Sequence, residues 1–196
     1  EALYQSVLAI LGGSGTILPL IDLYPDSLNA ATFTTRGAIT VPFQLSKPLA
    51  SFTTPPTLQG DIPVVSFNGT DESALTTDAD YWSSGNGTND SAYSLGAWVL
   101  VPNLDQYHIM DKLTGGGEWY LRFWSGRPQL KLRDSSAGAQ VDAIADAAVA
   151  ISAWHLVTIT YDGTGGVNAP AGISIYVDGN IVAASITSNP AYLAME

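Results

Sequence analysis

The sequence predicts an all-β protein whose antiparallel strands pack as a two-sheet sandwich. Two alternating apolar runs, 154–163 and 172–182, each contain an Asp-Gly pair. Asp-Gly favours the two-residue turn that matches the twist of paired strands, so Asp178-Gly179 predicts a tight hairpin. The composition agrees: the 196 residues include 19 Gly and 11 Pro but only 13% charged residues, as is typical of many strands joined by turns.

The first sixty residues carry a weaker strand pattern. Residues 1–16 form an apolar arm, as a short helix over Ala2–Leu11 or as a strand. Ile17–Tyr24 lies between prolines and suits an edge strand, and Ser27–Val41 suits further strands. Residues 42–61 hold four prolines and are expected to form a long surface connection. A boundary near residue 60 is one interpretation; we favour one domain over residues 17–196, preceded by the arm.

From residue 64 onward, turn signals recur at the spacing of antiparallel sheets. The Ala-rich run 142–151 would also suit a helical turn. The turn signals are Asn68-Gly69, Gly85-Asn86-Gly87, Gly115-Gly116-Gly117, Ser125-Gly126, Asp162-Gly163 and Asp178-Gly179.

This part of the chain resembles the laminin-G-like, concanavalin-A-like lectin jelly roll, of the kind seen in bacteriophage structural and bacterial surface proteins. The resemblance implies an antiparallel two-sheet jelly-roll sandwich, best matched over residues 62–196, with Trp98 and Trp154 in the core and a strand in the Ala-rich run. The segments that carry it are Phe67-Asn68-Gly69-Thr70-Asp71, Ser94-Leu95-Gly96-Ala97-Trp98-Val99, Ile109-Met110-Asp111-Lys112, the Trp154 to Gly163 run and Tyr176-Val177-Asp178-Gly179.

The resemblance also implies one or two closing strands after the hairpin. The sequence stops at Tyr192-Leu193-Ala194-Met195-Glu196, so we expect final strands to be missing or to come from another chain, because an open sheet edge exposes unpaired backbone groups.

Charge and composition exclude several classes of function. The formal net charge of -11 repels nucleic acid and anionic membrane surfaces. The absence of cysteine excludes disulfides and thiolate zinc sites. Glycines and Pro19 interrupt the apolar run 3–23, and no Lys or Arg precedes it, so we expect neither a signal peptide nor a membrane span there.

No catalytic cluster is evident, and we predict that the protein is not an enzyme. Glycosidases of this fold place paired carboxylates on one strand, whereas the four glutamates here are scattered. His108 and His155 lack the sequence context of a metal ligand or a catalytic base, so we interpret both as structural.

The acidic stretch that contains Asp71, Asp78 and Asp80 is the best candidate for a metal site. Calcium binds several converging carboxylate or carbonyl oxygens, and jelly rolls of this kind often bind it at loop rims. The spacing is not that of an EF-hand loop, and a solvated turn is the competing interpretation. No other cofactor is implied.

Aromatic residues supply the candidate ligand-binding surface. In the run 119–124, alternation puts Trp119, Leu121 and Phe123 on one face and the other three residues on the opposite face. We predict that the face with Arg122 is exposed and contacts a glycan or a neighbouring subunit. The candidate ligand-binding residues are Trp82, Tyr120, Arg122 and Trp124.

Two functions remain. The favoured hypothesis is a non-enzymatic structural or adhesive protein of an extracellular assembly: a virion surface or tail component, or a surface filament subunit. It would self-associate or bind other structural subunits by strand addition through Leu3, Val7, Leu8 and Ile10. The alternative is a carbohydrate-binding module in which calcium orders the loops.

Overall fold

The computed structural model describes residues 32–34, 42–46, 57–59, 62–64, 66–112 and 117–196. They fall into two compact units: the smaller contains the described residues up to Asp78, and the larger those from Ala79 onward. The arm 1–16 and the strand predicted at Ile17–Tyr24 lie outside the described residues. Within the described ranges, no helix is long and apolar enough to cross a membrane.

The smaller unit contains short antiparallel strands. Strands β1 (Thr32–Thr34), β2 (Pro42–Leu45) and β5 (Ala74–Leu75) form one sheet in the order β1-β2-β5, and β3 (Thr57–Gln59) pairs with β4 (Ile62–Val64). The prediction that residues 42–61 form only a surface connection is therefore wrong for β2 and β3. Pro42 is the first residue of β2, a position that proline tolerates in a strand.

The larger unit contains a five-stranded antiparallel sheet. The strands are β7 (Tyr107–Lys112), β8 (Trp119–Trp124), β9 (Arg127–Asp134), β10 (Ala139–Ala145) and β14 (Ala184–Ser188), in the order β14-β10-β9-β8-β7. The turn between β8 and β9 is Ser125-Gly126, and both residues have positive φ, 53° and 70°. The Ala-rich run begins inside β10, as the family resemblance implied.

A second, four-stranded sheet completes the unit. It contains β6 (Tyr93–Leu100), β11 (Trp154–Tyr161), β12 (Ile173–Val177) and β13 (Asn180–Ile181), in the order β13-β12-β11-β6. Asp178 and Gly179 have φ values of 51° and 79°, and the strands on either side of them pair. The predicted hairpin is confirmed.

The two sheets pack face to face around one hydrophobic core. The five-stranded sheet contributes Leu121, Phe123 and Leu130, and the four-stranded sheet contributes Val157 and Ile159, all of them 1% exposed or less. Burial of such side chains contributes about 1.5–3 kcal/mol each. The predicted two-sheet jelly-roll sandwich is confirmed.

Two core predictions are wrong. Trp98 lies on the outward side of β6 and is 41% exposed. In β6 the exposed residues alternate with partly buried ones, and Leu95 and Val99 are among those packed against the core. Trp98 therefore points away from the core, because neighbours in a strand face opposite sides. Trp154 of β11 lies opposite Leu100 of β6 on the same outward side. It is only partly buried and is not part of the core, because the alternation of β11 turns it outward with Trp98.

A further strand follows the hairpin. β14 pairs with β10, with Ile186 opposite Ala143, and so supplies one edge of the five-stranded sheet. The residues after β14 fold back onto the same unit, where Tyr192 and Met195 are buried. The Leu193 N–H donates to Asp134 Oδ2 over 3.1 Å. One strand thus follows the hairpin in this chain, and the expectation that further closing strands are missing stays a prediction.

Candidate functional site

The outer face of the five-stranded sheet carries polar and aromatic side chains. The alternation that turns Leu121 and Phe123 inward turns their neighbours outward. Cross-strand register then groups residues far apart in sequence: Tyr120 lies opposite Lys131, and Lys131 lies opposite Asp142. On strands β7 to β10 this outer face comprises His108, Asp111, Tyr120, Arg122, Trp124, Arg127, Gln129, Lys131, Arg133, Gln140, Asp142 and Ile144.

The Arg122 guanidinium lies against two aromatic rings. Its Cζ is 4.7 Å from the centroid of the Tyr120 ring and 4.6 Å from that of the Trp124 ring. Each such cation–π contact stabilises by about 0.5–1 kcal/mol at a partly exposed site. Arg122 Nε donates a hydrogen bond to Gln129 Oε1 over 2.5 Å. The guanidinium is therefore held by two rings and one hydrogen bond.

A polar network fixes the neighbouring strands. Gln129 Nε2 donates to Asp142 Oδ1 over 2.5 Å, and Lys131 Nζ lies 3.1 Å from Asp142 Oδ2. Gln129 is only 5% exposed, so its amide connects Arg122 to Asp142 from a buried position. Both oxygens of Asp142 have partners, and its charge is balanced by that of Lys131.

His108 belongs to this face as well. His108 is on β7 and lies opposite Arg122 of β8. Its ring centroid is 5.3 Å from that of Tyr120, and its Nδ1 is 3.0 Å from Asp111 Oδ2. The sequence pattern predicts a structural role for His108 and does not connect it with Tyr120. Only the pairing of β7 with β8 brings the two rings together.

The three outward-facing residues of β8 differ in their exposure to solvent. Trp124 is 43% exposed, Arg122 is partly buried and Tyr120 is only 8% exposed. Trp124 thus offers most of the accessible ring surface, with a fixed guanidinium beside it. An aromatic ring face next to oriented hydrogen-bond donors is the combination that amphipathic ring-shaped ligands such as sugars require.

The structure does not bring Trp82 to this face. Trp82 ends a 3-10 helix, Asp80–Trp82, and its side chain packs against the hydrophobic core. Its carbonyl accepts a hydrogen bond of 3.0 Å from the Trp119 indole, and Trp119 faces inward. Trp82 therefore lies on the inward side of β8, whereas Tyr120, Arg122 and Trp124 lie outward.

The three candidate calcium ligands are all exposed. Asp71 Oδ1 accepts a hydrogen bond of 2.8 Å from Asn68 Nδ2, within a turn. Among the residues that the structure describes, no group of three or more His, Cys, Asp or Glu side chains is arranged to hold a metal ion. A calcium site at Asp71, Asp78 and Asp80 stays a prediction. The candidate assembly residues Leu3, Val7, Leu8 and Ile10 lie outside the described residues.

A cavity lies among the loops of the larger unit. It has a volume of about 330 Å³, and its lining includes Asn89, Asp90, Gly165 and Asn168. Asp90 accepts hydrogen bonds from buried protein groups, among them the Tyr161 hydroxyl at 2.6 Å. We interpret Asp90 as structural, because its carboxylate already binds within the protein.

Comparison with known proteins agrees with the fold. A family model described as the concanavalin A-like lectin/glucanases superfamily matches residues 68–194. No curated protein sequence matches the chain significantly. Among solved structures, the chain is similar to one described as "Cell entry of botulinum neurotoxin type C is dependent upon interaction with two ganglioside molecules". The TM-score is 0.55 and the identity 13%, over 91% of this chain and 41% of that one. The chain therefore spans less than half of that protein.

Proposed function

We propose, for a chain that belongs to the concanavalin A-like lectin/glucanases superfamily, that the outer face of the five-stranded sheet binds a glycan. The observation that carries the proposal is the Arg122 guanidinium held against the rings of Tyr120 and Trp124, beside an exposed ring face. A lectin-like fold supports carbohydrate binding in general. The arrangement of Arg122, Tyr120 and Trp124 supports the outer face of the five-stranded sheet as the binding surface.

The roles of the residues follow from their contacts. The exposed ring of Trp124 stacks on the apolar face of a sugar. The Arg122 Nη groups, which form no hydrogen bond with the described residues, donate to the hydroxyl or acidic oxygens of that sugar. Gln129 is a positioning residue, because it holds Arg122 Nε from a buried site. A side chain already fixed in the free protein loses less entropy on binding.

The same contacts favour binding without hydrolysis. A glycosidase needs a protonated carboxyl group as general acid and a second carboxylate across the scissile bond. Asp142 has Lys131 as its partner, and Asp111 has His108. Both carboxylates of this face are therefore already engaged within the protein. We therefore propose a non-enzymatic role.

A glycan-binding face suits an adhesive protein outside the cell. The assembly role in a virion, tail or surface filament is a second proposal. It is supported by the apolar arm with Leu3, Val7, Leu8 and Ile10 in the sequence. Light scattering on the untagged protein tests it: a mass many times 20.6 kDa supports assembly, and deletion of residues 1–12 should then abolish it. A monomer, or unchanged assembly after the deletion, would contradict this second proposal.

The glycan proposal is tested with the full chain on a broad glycan array, followed by titration calorimetry on the best ligand. Gangliosides belong among the first probes because of the toxin of similar fold. Trp124→Ala should weaken binding about tenfold, since an aromatic stacking contact is typically worth 0.5–1.5 kcal/mol beyond its buried area.

The chain offers a matched control for this variant. Trp98 is 41% exposed and Trp124 is 43% exposed, but they lie on the outer sides of different sheets. Trp98→Ala should leave the affinity unchanged. Absence of any bound glycan, or an equal effect of both variants, would overturn the proposal.

A further inference from the structure

We infer that the glycan bound by the outer face of the five-stranded sheet is acidic, that is, an oligosaccharide bearing carboxylate or sulfate groups. The inference rests on the proposed function and names the ligand class of the same surface.

Positive charge is concentrated on this face. The chain has 7 Lys and Arg residues against 18 Asp and Glu residues. Of the five Lys and Arg residues that the structure describes, four lie on this face: Arg122, Arg127, Lys131 and Arg133. The fifth, Lys112, donates hydrogen bonds to Glu118 and Ser83.

Few carboxylates oppose these cations. Among the described residues on strands β7 to β10, the outer face carries only Asp111 and Asp142. Four cations against two carboxylates leave two positive charges, with His108 counted as neutral. A positive face on a strongly negative chain attracts anions locally.

Three arginines of this face have no carboxylate partner among the described residues. Lys131 pairs with Asp142, but among the described residues no carboxylate lies within ion-pair distance of Arg122, Arg127 or Arg133. Acidic residues outnumber basic ones in this chain, so the missing partners do not reflect a shortage of carboxylates. Guanidinium groups bind carboxylate and sulfate oxygens through two parallel hydrogen bonds.

The cations of β9 lie in a line along the outer side of that strand. Arg127 lies directly opposite Trp124 beside the β8–β9 turn, and Lys131 and Arg133 follow on the same side of β9. Same-face residues on a strand are about 6.8 Å apart, so the β9 cations extend over about 20 Å. This length suits an extended oligosaccharide with repeated negative charges better than a single sugar.

Phosphate groups of a nucleic acid are the competing anions, because a locally positive face attracts them as well. They enter the test as a separate probe. The other probes are matched pairs: oligogalacturonate and its methyl ester, and a ganglioside and its form without sialic acid. A single-stranded oligonucleotide completes the set.

The experiment is titration of the full chain with each probe at low and high salt. The charged member of a pair should bind about tenfold more tightly than the neutral one, as one charge-assisted contact predicts. The difference in affinity between the charged and the neutral member should be smaller at high salt, because salt screens exposed charges. Arg127→Gln and Arg133→Gln should each weaken binding of the charged member severalfold, with an unchanged melting temperature showing that the variants fold.

The matched control is Ser94→Asp, which lowers the net charge by one, as Arg127→Gln does, but on the exposed side of β6 in the other sheet. Ser94→Asp should change the affinity for the charged glycan by no more than about twofold relative to the wild type. Equal binding of charged and neutral glycans, or preference for the oligonucleotide, would overturn the inference. If charged and neutral glycans bind equally, the proposed function still stands. Binding of no glycan at all would overturn both.

Discussion

The Asp90 carboxylate accepts a hydrogen bond from the hydroxyl of Tyr192, 102 residues further along the chain, over 2.7 Å. The same carboxylate accepts hydrogen bonds from the Tyr161 hydroxyl at 2.6 Å and from the Met195 N–H at 2.7 Å. Asp90 thus joins the loop before β6 to β11 and to the segment after β14. One acceptor serves three donors, two of them on buried tyrosines.

Asp90→Asn should therefore lower the free energy of unfolding by about 2–3 kcal/mol, since several buried donors lose an ionised acceptor. Urea unfolding at neutral pH measures the loss. The control is Asp105→Asn, because Asp105 is exposed and its carboxylate accepts no hydrogen bond from the described residues. Equal unfolding free energies for the two variants would contradict the role of Asp90.

The protein should lose stability in alkali. Burial first, and the Asp90 carboxylate second, raise the pKa of Tyr161 and of Tyr192 above the usual value of 10.0. The folded state thus holds these protons more tightly than the unfolded state. Their contribution is complete below about pH 10 and is lost as the pH rises through the raised folded values.

The measurement is the free energy of unfolding at increasing pH. The double variant Tyr161→Phe, Tyr192→Phe should be less stable at neutral pH and should show a weaker alkaline decline, because it lacks both titrating groups. The same decline in wild type and variant would assign it to other tyrosines.

A second carboxylate stabilises the β12–β13 hairpin. The His155 ring lies between two acceptors, with Nδ1 2.8 Å from Asp178 Oδ2 and Nε2 3.0 Å from the Ala150 carbonyl oxygen. Burial acts to raise the pKa of Asp178, but the hydrogen bonds from His155 and from the Leu156 N–H outweigh it. The pKa of Asp178 therefore lies below its usual value.

Asp178→Asn keeps a residue that tolerates the positive φ of this turn and removes the charge. The stabilisation by Asp178 is present above its usual pKa of about 3.9 and is lost as the pH falls through the lowered folded value. With 45% of the side chain exposed, we expect a loss of about 0.5–1 kcal/mol near neutral pH.

Urea unfolding of the wild type and of Asp178→Asn over acid pH tests this. The difference between them should vanish at low pH. Asp146→Asn is the control, because Asp146 accepts a hydrogen bond from the Ser185 hydroxyl and has no basic partner among the described residues. A difference that does not depend on pH would exclude the charge as its source.

Two adjacent residues of β8 should respond differently to truncation. Phe123 is 1% exposed and Trp124 is 43% exposed. Phe123→Ala should cost about 3–5 kcal/mol, because it leaves a cavity between the sheets. Trp124→Ala should cost about 1 kcal/mol, from lost contact with Arg122. Thermal and urea unfolding measure both, and a larger loss for Trp124→Ala would contradict the assignment of faces.

The strands could largely be predicted from the sequence. Alternation in the run 119–124 predicted which side of β8 is buried, and Asp178-Gly179 predicted the hairpin, because both signals are local. The Ala-rich run 142–151 was ambiguous between a helical turn and a strand, and only pairing with β9 and β14 makes its first four residues part of β10. Trp98 was assigned to the core from motif resemblance, although the alternation within β6 turns it outward.

The candidate site was only partly predictable. Tyr120, Arg122 and Trp124 were identified together because they alternate on one strand. Gln129, Lys131 and Asp142 were not predicted. The alternate spacing of Arg127, Gln129, Lys131 and Arg133 on β9 was a signal that could have identified the line of cations on that strand. No local signal connects His108 with Tyr120, or Asp142 with Lys131.

The sequence by itself determined the strand type, the inward and outward faces of β8 and the position of the hairpin turn, because side-chain alternation and turn chemistry act over a few residues. Only the tertiary structure decided that β8 lies between β7 and β9, that Gln129 bonds to Arg122 and that Asp90 bonds to Tyr192. Strand order and register depend on how both sheets bury their apolar faces together, a property of the whole chain that no short segment contains.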